Sequence, residues 1–271
     1  MVRRPLLTAA LCAVLAALVY VVAVRVPLAR EADVRILEGF MGLWTIPGAS
    51  LAGAFVSLFN PLPFALLTAG LFACAVAIGR PRAGAAAFVA MLGAGVTTQV
   101  LKPVLAVQRD FPVWHYMGPE AYPSGHTTAV MSFALALAIV APPRLRPLAA
   151  ATGALLTVGT VYSILIGGGH YPSDIIGGFL VATAWACLAV IPLRPEARPS
   201  LRKLAGGPAI AGAVLAAAGA VAVTWRPSGA VAYAVQNTTF VAGAVAIAAA
   251  ALVLTGSVPA PTTARLRRRP R

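Results

Sequence analysis

Charged residues are scarce in this chain of 271 residues, of which 10% are charged and 60% hydrophobic. Soluble globular domains carry about 25% charged residues, so the composition excludes a soluble globular protein. The apolar residues come in uncharged runs of about 20, each long enough for an α-helix to cross a bilayer. The sequence therefore predicts an all-α fold, a polytopic transmembrane helical bundle.

Residues that form disulfides or bind metals are also few. The three cysteines, Cys12, Cys74 and Cys187, each lie inside an apolar run, where cysteine behaves as a small buried hydrophobe. This placement predicts neither a disulfide framework nor a zinc site. The seven acidic residues form no carboxylate cluster of the kind that magnesium needs. We therefore predict no metal and no other cofactor.

Basic residues outnumber acidic ones by 21 to 7, which gives a formal net charge of +14. They lie in short clusters between the apolar runs, which is typical of cytoplasmic membrane anchors and not of a phosphate-binding face for nucleic acid. The predicted partners are therefore membrane lipids and no nucleic acid. Arginine outnumbers lysine by 19 to 2, which hints at a bacterial, GC-rich genome.

Eight transmembrane helices are predicted from the apolar runs. They lie at about residues 6–24, 62–79, 84–103, 125–141, 148–168, 175–193, 208–224 and 240–255. The first run follows Arg3 and Arg4 and has an alternative interpretation as a cleaved secretory signal. Its apolar core is longer than the usual stretch of about 7 to 15 residues in such signals, so we favour a retained helix.

The basic residues also predict the orientation. With the N-terminus inside, 15 of the 21 basic residues fall on the cytoplasmic side. Both termini are then cytoplasmic, in a multi-pass protein of the plasma membrane. Residues 36–60 are apolar but interrupted by glycine and proline, and we interpret them as an interfacial or re-entrant stretch. The alternative, one further span, would invert the orientation of everything after it.

The predicted domain organisation follows from these spans. Residues 1–193 form a six-span core that includes the interfacial stretch at about 36–60, and residues 194–207 form a basic cytoplasmic linker. Residues 208–255 hold two additional transmembrane helices, and residues 256–271 form a basic cytoplasmic tail. The two additional helices carry no candidate chemistry.

Polar residues gather at the predicted outer ends of the third to sixth spans. They are Lys102, Arg109, His126, His170 and Asp174. Lys102 and Arg109 are seven positions apart, and they share one helical face if the helix continues past Pro103. Two cations suit a phosphate, although a basic residue at the end of a span often only reaches the headgroups.

The segment Pro123-Ser124-Gly125-His126 opens the fourth span. Ser124 is a candidate N-cap, and the free backbone N–H groups of a helix start suit an anion. Gly125 allows close approach, and His126 in the first turn can exchange a proton with a bound group. The alternative is a plain helix cap with an interfacial histidine.

His170 and Asp174 bracket the turn between the fifth and sixth spans. A carboxylate at this spacing can fix the imidazole tautomer and leave the other ring nitrogen to act as a nucleophile. Alone, the two residues could equally be a surface histidine and a capping aspartate. Together with the other segments they predict phosphoryl transfer through a phosphohistidine, without metal.

These segments, from Lys102 to Arg109, from Pro123 to His126 and from Ser163 through His170 to Asp174, resemble the three-part signature of the phosphatidic acid phosphatase type 2 superfamily. Its members include lipid phosphate phosphatases and polyprenyl diphosphate phosphatases. The resemblance covers roughly residues 1–193.

The resemblance implies a role for each matching residue. His170 would attack phosphorus, Asp174 would orient it, and His126 would protonate the leaving group. The phosphoryl oxygens would be held by the remaining matching residues, which are Lys102, Arg109, Ser124 and Gly125. The implied activity is hydrolysis of a lipid or polyprenyl (di)phosphate, such as undecaprenyl diphosphate, at the outer leaflet.

The chain departs from the family pattern at two positions. Asp110 stands where the family usually has proline and could pair with Arg109. Ile164 stands where the family has an arginine after the serine of its third segment, and losing one such phosphate donor costs about 3 kcal/mol in transition-state stabilisation. The alternative function is therefore a weakened or inactive member that binds lipid phosphate or a protein partner.

Overall fold

The computed structural model describes residues 3–45, 52–109, 117–193, 206–207, 209–216 and 227–257. Within these ranges the chain is helical and contains no strand, so the predicted all-α class is confirmed. The α-helices are α1 (Arg3–Arg25), α2 (Pro27–Met41), α3 (Ala52–Ser57), α4 (Pro61–Ala77), α5 (Pro81–Val104), α6 (Gly125–Val140), α7 (Arg146–Ile166), α8 (Pro172–Ala189), α9 (209–216), α10 (Pro227–Gln236) and α11 (Thr238–Ser257). Short 3₁₀ turns lie at Gly42–Thr45 and Pro119–Ala121.

Proline marks the start of many of these helices. The helices whose first residue is proline are α2, α4, α5, α8 and α10. Proline suits this position because its missing N–H would have no partner in the first turn and because its φ is already helical. Helix α6 begins differently, with Ser124 as its N-cap. The helix starts are therefore largely readable from the sequence.

Among the residues that the structure describes, six helices are long and apolar enough to cross a membrane. They match the predicted spans at 6–24, 84–103, 125–141, 148–168, 175–193 and 240–255. The chain is thus a multi-pass membrane protein. The run predicted at 62–79 forms α4, which has 17 residues and is shorter than these six. The run predicted at 208–224 lies in large part outside the described residues, and α10 was not predicted.

Helices α6, α7 and α8 form the interior of the bundle. In the most apolar 18-residue stretch of each of these spans, the buried share is 72%, 61% and 83%, respectively. The corresponding stretches of α1 and α11 are only 22% and 17% buried. Small residues allow the close packing, because a Cβ added at Gly153 on α7 would lie 2.8 Å from the Cβ of Ala134 on α6. The outer helices present their apolar side chains outward, as lipid-facing helices do.

The region around residues 36–60 differs from a simple interfacial stretch. Leu37 and Phe40 on α2 are fully buried in the main core, beside residues of α6, α7 and α8. Helix α3 packs against α7. The helices described within this region, α2 and α3, are shorter than the six candidate spans, and whether residues 36–60 are interfacial or re-entrant stays a prediction. The end of α2 nevertheless belongs to the core, because its apolar face is covered by neighbouring helices.

Candidate functional site

His170 and Asp174 are brought together at the start of α8. The Nδ1 atom of His170 lies 3.4 Å from Oδ2 of Asp174, and Asp174 is completely buried. The same oxygen accepts the backbone N–H of Tyr171 at 3.0 Å. A carboxylate can only accept hydrogen bonds, so the imidazole carries its proton on Nδ1. This arrangement leaves Nε2 of His170 as the nitrogen with a free lone pair.

A cavity of about 480 Å³ lies beside this pair. Lys102, at the end of α5, and His170 both line it, together with the glycines at 167–169 and the segment from Met117 to Ala121. Gly168 turns the chain with φ of +68°, a conformation that a side chain would disfavour. The residues that line the cavity therefore include one cation, one acid (Glu120) and the imidazole, and the glycines form a wall of little side-chain bulk.

Arg109 lies on the other side of the pair. Helix α5 ends at Val104, one residue after Pro103, so Lys102 and Arg109 do not share a helical face. The Arg109 guanidinium donates to Asp174 Oδ1 and, at 3.0 Å, to the Ser173 hydroxyl. It also stacks 4.1 Å from the centre of the Tyr171 ring. The two predicted phosphate-binding cations thus have different surroundings, because α5 ends at Val104 and the chain from 106 to 109 is not helical.

Asp33 on α2 is a site residue that the sequence prediction missed. Its carboxylate accepts the backbone N–H of Ser173 at 3.0 Å and the Ser173 hydroxyl, and its Oδ2 lies 3.6 Å from Arg109 Nη1. Burial raises the pKa of Asp33 to about 6, against the hydrogen bond from Ser173 and with the help of the negative charge of Asp174. The sequence did indicate that Asp33 is buried, because its spacing from Leu37 and Phe40 places all three residues on one face of α2.

The start of α6 packs directly on the start of α8. The Ser124 side chain accepts the N–H of Thr127 at 3.4 Å and its hydroxyl at 2.9 Å, so Ser124 is the predicted N-cap. The Ser124 N–H donates to the Asp174 carbonyl at 3.1 Å. Ser124 is fully buried and its N–H is occupied, so the donors left for an anion are those of Gly125 and His126.

His126 projects from the first turn of α6. Its Nε2 lies 2.9 Å from the Asn60 Oδ1, at the N-cap position of α4. Because an amide oxygen only accepts, Nε2 carries the proton and Nδ1 is the atom that can take up or release one. Lys102 also lies close to the start of α6, because its Cε is 3.9 Å from where a Gly125 Cβ would stand. Asn60 carries no motif signal, so the sequence did not reveal it.

Ile164 lies at the base of the loop that leads to His170. It is 5% exposed within the main core, and its carbonyl accepts the Gly169 N–H at 3.0 Å. Its Cγ2 is 3.6 Å from where a Gly169 Cβ would stand. The side chain that replaces the family arginine therefore lies just behind the glycine wall of the cavity. The predicted partner of Arg109, Asp110, lies outside the described residues.

The predicted site residues therefore lie around the adjoining starts of α6 and α8, with Lys102 on the cavity side and Arg109 on the opposite side. Among the described residues, no group of three or more histidine, cysteine or acidic side chains is arranged to hold a metal ion.

Residues 83–194 match the family model described as "PAP2 superfamily", so the resemblance to this superfamily of phosphatases is confirmed over that segment. The match begins in α5 and ends just after α8, and it is shorter than the predicted extent of 1–193. A crystal structure of a transmembrane PAP2-type phosphatidylglycerolphosphate phosphatase from Bacillus subtilis is similar, with 21% sequence identity over 69% of this chain and 94% of that chain and a TM-score of 0.49. No curated protein matches the chain.

Proposed function

We propose that this protein is an integral membrane phosphatase that hydrolyses a lipid or polyprenyl (di)phosphate through a phosphohistidine intermediate, without a metal. The observation that carries this function is the His170–Asp174 pair beside the cavity that Lys102 also lines. A fixed tautomer gives a nucleophilic nitrogen, and the nearby ammonium offsets the charge of a phosphoryl group. The PAP2 match over residues 83–194 supports the same reaction class.

The reaction is proposed in two steps. The Nε2 of His170 forms a bond to phosphorus while the bond from phosphorus to the leaving oxygen breaks, and His126, which enters this step as the imidazolium, gives its Nδ1 proton to that oxygen. A water molecule then attacks the phosphohistidine, His126 accepts its proton, and inorganic phosphate leaves as the Nε2–P bond breaks. Asp174 keeps its hydrogen bond from the Nδ1–H of His170 in both steps and stabilises the positive charge that develops on the His170 ring.

The proposed substrate is an amphiphile whose tail stays in the bilayer. Lys102 lies at the end of one candidate span, and His170 lies between two others, so a phosphate bound there would sit at headgroup depth. The charge distribution of the loops supports a site on the outer face of the plasma membrane with both termini inside. Undecaprenyl diphosphate, phosphatidate and phosphatidylglycerol phosphate all satisfy these conditions.

Trapping the intermediate tests the mechanism. A radiolabelled substrate whose leaving group departs without taking up a proton, such as p-nitrophenyl phosphate, should label the His126→Ala variant, because only the second step then needs His126, as a base. The label should be lost in acid and retained in alkali. The double variant His126→Ala with His170→Ala should remain unlabelled. Purified wild-type protein should keep its turnover in EDTA, and turnover that is abolished by EDTA and restored by magnesium would contradict the proposal.

The second candidate function is a catalytically weakened member that binds lipid phosphate or a protein partner, and Ile164 favours it. The Ile164→Arg variant is informative because position 164 lies behind the cavity wall at Gly169. The Ile164→Met variant is its control, since it keeps an apolar side chain of similar volume. A large gain in turnover for arginine alone would indicate a weakened phosphatase. Tight phosphate-lipid binding without turnover in wild type and both variants would favour a binding protein.

A further inference from the structure

Asp33 is a buried charged residue that the proposed reaction does not use. It lies on α2, outside the segment 83–194 that matches the family, and it is 8% exposed. An ionisable group buried at this depth needs partners that offset its desolvation. Those partners are Ser173 and Arg109, and both also contact or adjoin Asp174.

The first link is to the helix start that carries Asp174. Ser173 is the second residue of α8, and its backbone N–H has no partner within the helix. Asp33 accepts that N–H at 3.0 Å and the hydroxyl of the same residue. A side chain 140 positions away in sequence thus satisfies the first turn of α8 and fixes the residue next to Asp174.

The second link is through the shared arginine. One guanidinium faces two carboxylates, with Nη2 donating to Asp174 and Nη1 lying 3.6 Å from Asp33. The remaining Asp174 oxygen, Oδ2, is the one that faces His170. If Asp33 lost its charge, Arg109 would act on Asp174 alone, and the oxygen facing His170 would become a weaker acceptor.

We propose that Asp33 is a positioning residue of the His170 site: its carboxylate shares Arg109 with Asp174 and thereby keeps Asp174 a strong acceptor for the Nδ1–H of His170. The consequence for turnover rests on the proposed function, whereas the effect on the imidazole tautomer does not. Asp33 acts through Arg109 and Ser173 and does not itself face the Lys102 cavity.

We expect folding to tolerate an uncharged side chain at this position. The pKa of Asp33 is raised, chiefly by burial, so the folded protein accommodates the neutral carboxyl better than the carboxylate. An asparagine has the same shape, can still accept the Ser173 N–H and has no charge. Asp33→Asn therefore removes the effect on Arg109 while preserving the packing.

The test is the tautomer of His170, read from the ¹⁵N chemical shifts of histidine-labelled protein in detergent micelles. The chain has only 3 histidines, so a His170→Gln variant assigns the signal. In Asp33→Asn the ratio of the Nδ1–H to the Nε2–H tautomer should fall about tenfold, the size expected for weakening one hydrogen bond to a charged group. Asp33→Glu should restore the wild-type ratio. The control, Glu31→Gln, alters an exposed carboxylate on the same helix that pairs with Arg35 and should leave the ratio unchanged.

Kinetics separate this proposal from the proposed function. Asp33→Asn should lower kcat by about tenfold and leave KM nearly unchanged, because it alters the nucleophile and not the substrate cavity. A folded Asp33→Asn protein with the wild-type tautomer ratio would overturn the proposal, whatever its activity. If the variant does not fold, Asp33→Ser removes the same charge and is judged by the same ratio. A shifted ratio in a protein that hydrolyses no lipid phosphate would support the role of Asp33 and contradict the phosphatase function.

Discussion

On one side of the His170–Asp174 pair lies a cavity of about 480 Å³, lined by Lys102 and a run of glycines. On the other side, the Arg109 guanidinium is largely buried against Asp33, Asp174 and the Tyr171 ring, and Arg109, Asp33 and Tyr171 border a second cavity of about 460 Å³. Within the described part of the chain, Lys102 has no ion pair, whereas the charge of Arg109 is offset by its neighbours. A cation without a protein counterion is suited to a ligand, and a cation with two is suited to holding the protein together.

Removing the buried cation, Arg109, should have the largest effect on stability. Arg109→Gln leaves two buried carboxylates facing each other, which costs about 3–5 kcal/mol of unfolding free energy. Thermal unfolding in detergent measures the loss. The control, Arg35→Gln, breaks an exposed pair with Glu31 and should cost about 0–1 kcal/mol. Equal losses in the two variants would show that Arg109 is not a structural cation.

Removing the cavity cation should leave stability intact and lower activity. Lys102→Gln should reduce kcat/KM for a lipid phosphate by about 10²-fold, equivalent to about 3 kcal/mol of transition-state stabilisation. Its unfolding temperature should match that of the wild type, because the ammonium stabilises no other described group. A Lys102→Gln protein with a lowered unfolding temperature and wild-type turnover would contradict this assignment, because Lys102 would then stabilise the fold and not the transition state.

The stability of the Arg109 side should depend on pH. The pKa of Asp33 is about 6 in the folded protein and near 3.8 in a free side chain, so its contribution is fully present below about pH 3.8 and is lost as the pH rises through about 6. Relative to Asp33→Asn, the wild type should gain up to about 3 kcal/mol between about pH 7 and pH 4, at about 1.4 kcal/mol per pKa unit. Parallel stability curves for the two proteins would contradict this titration.

The smallest effect is expected at Asn60, on the cavity side. Asn60→Ala removes the acceptor of the His126 Nε2–H and should lower kcat about tenfold, the cost of one hydrogen bond that orients a proton-transfer group. Asn60→Asp retains an acceptor and should keep most of the turnover. Asn60 is exposed, so neither variant should change the unfolding temperature, and a large destabilisation would indicate a structural role.

Much of the fold was predictable because helix formation in a membrane depends on local hydropathy. Six of the predicted spans match helices within a few residues, and Ser124 caps α6 as its position indicated. Two features of the helices were predicted less well. Helix α4 has 17 residues and is shorter than the candidate spans. Helix α5 ends at Val104, one residue after Pro103, and so does not reach Arg109.

The site was predictable only where its residues are close in sequence. His170 and Asp174 are four positions apart, so a single turn sets their contact. Asp33 and Asn60 reach the site across 140 and 66 positions, respectively, and no local pattern encodes those contacts. The burial of Asp33 beside Leu37 and Phe40 was visible as a charge on an apolar helix face, but its partner was not.

The sequence by itself determined the membrane class, most of the helices and the residues that carry the phosphatase signature, because hydropathy, proline and short spacings act over one or two helical turns. Only the tertiary structure decided that Lys102 and Arg109 lie on opposite sides of the His170–Asp174 pair and that α2 supplies a second counterion of Arg109 beside Asp174. Those choices depend on how α2, α5 and α8 pack, and packing depends on the shape and charge of surfaces far apart in the chain.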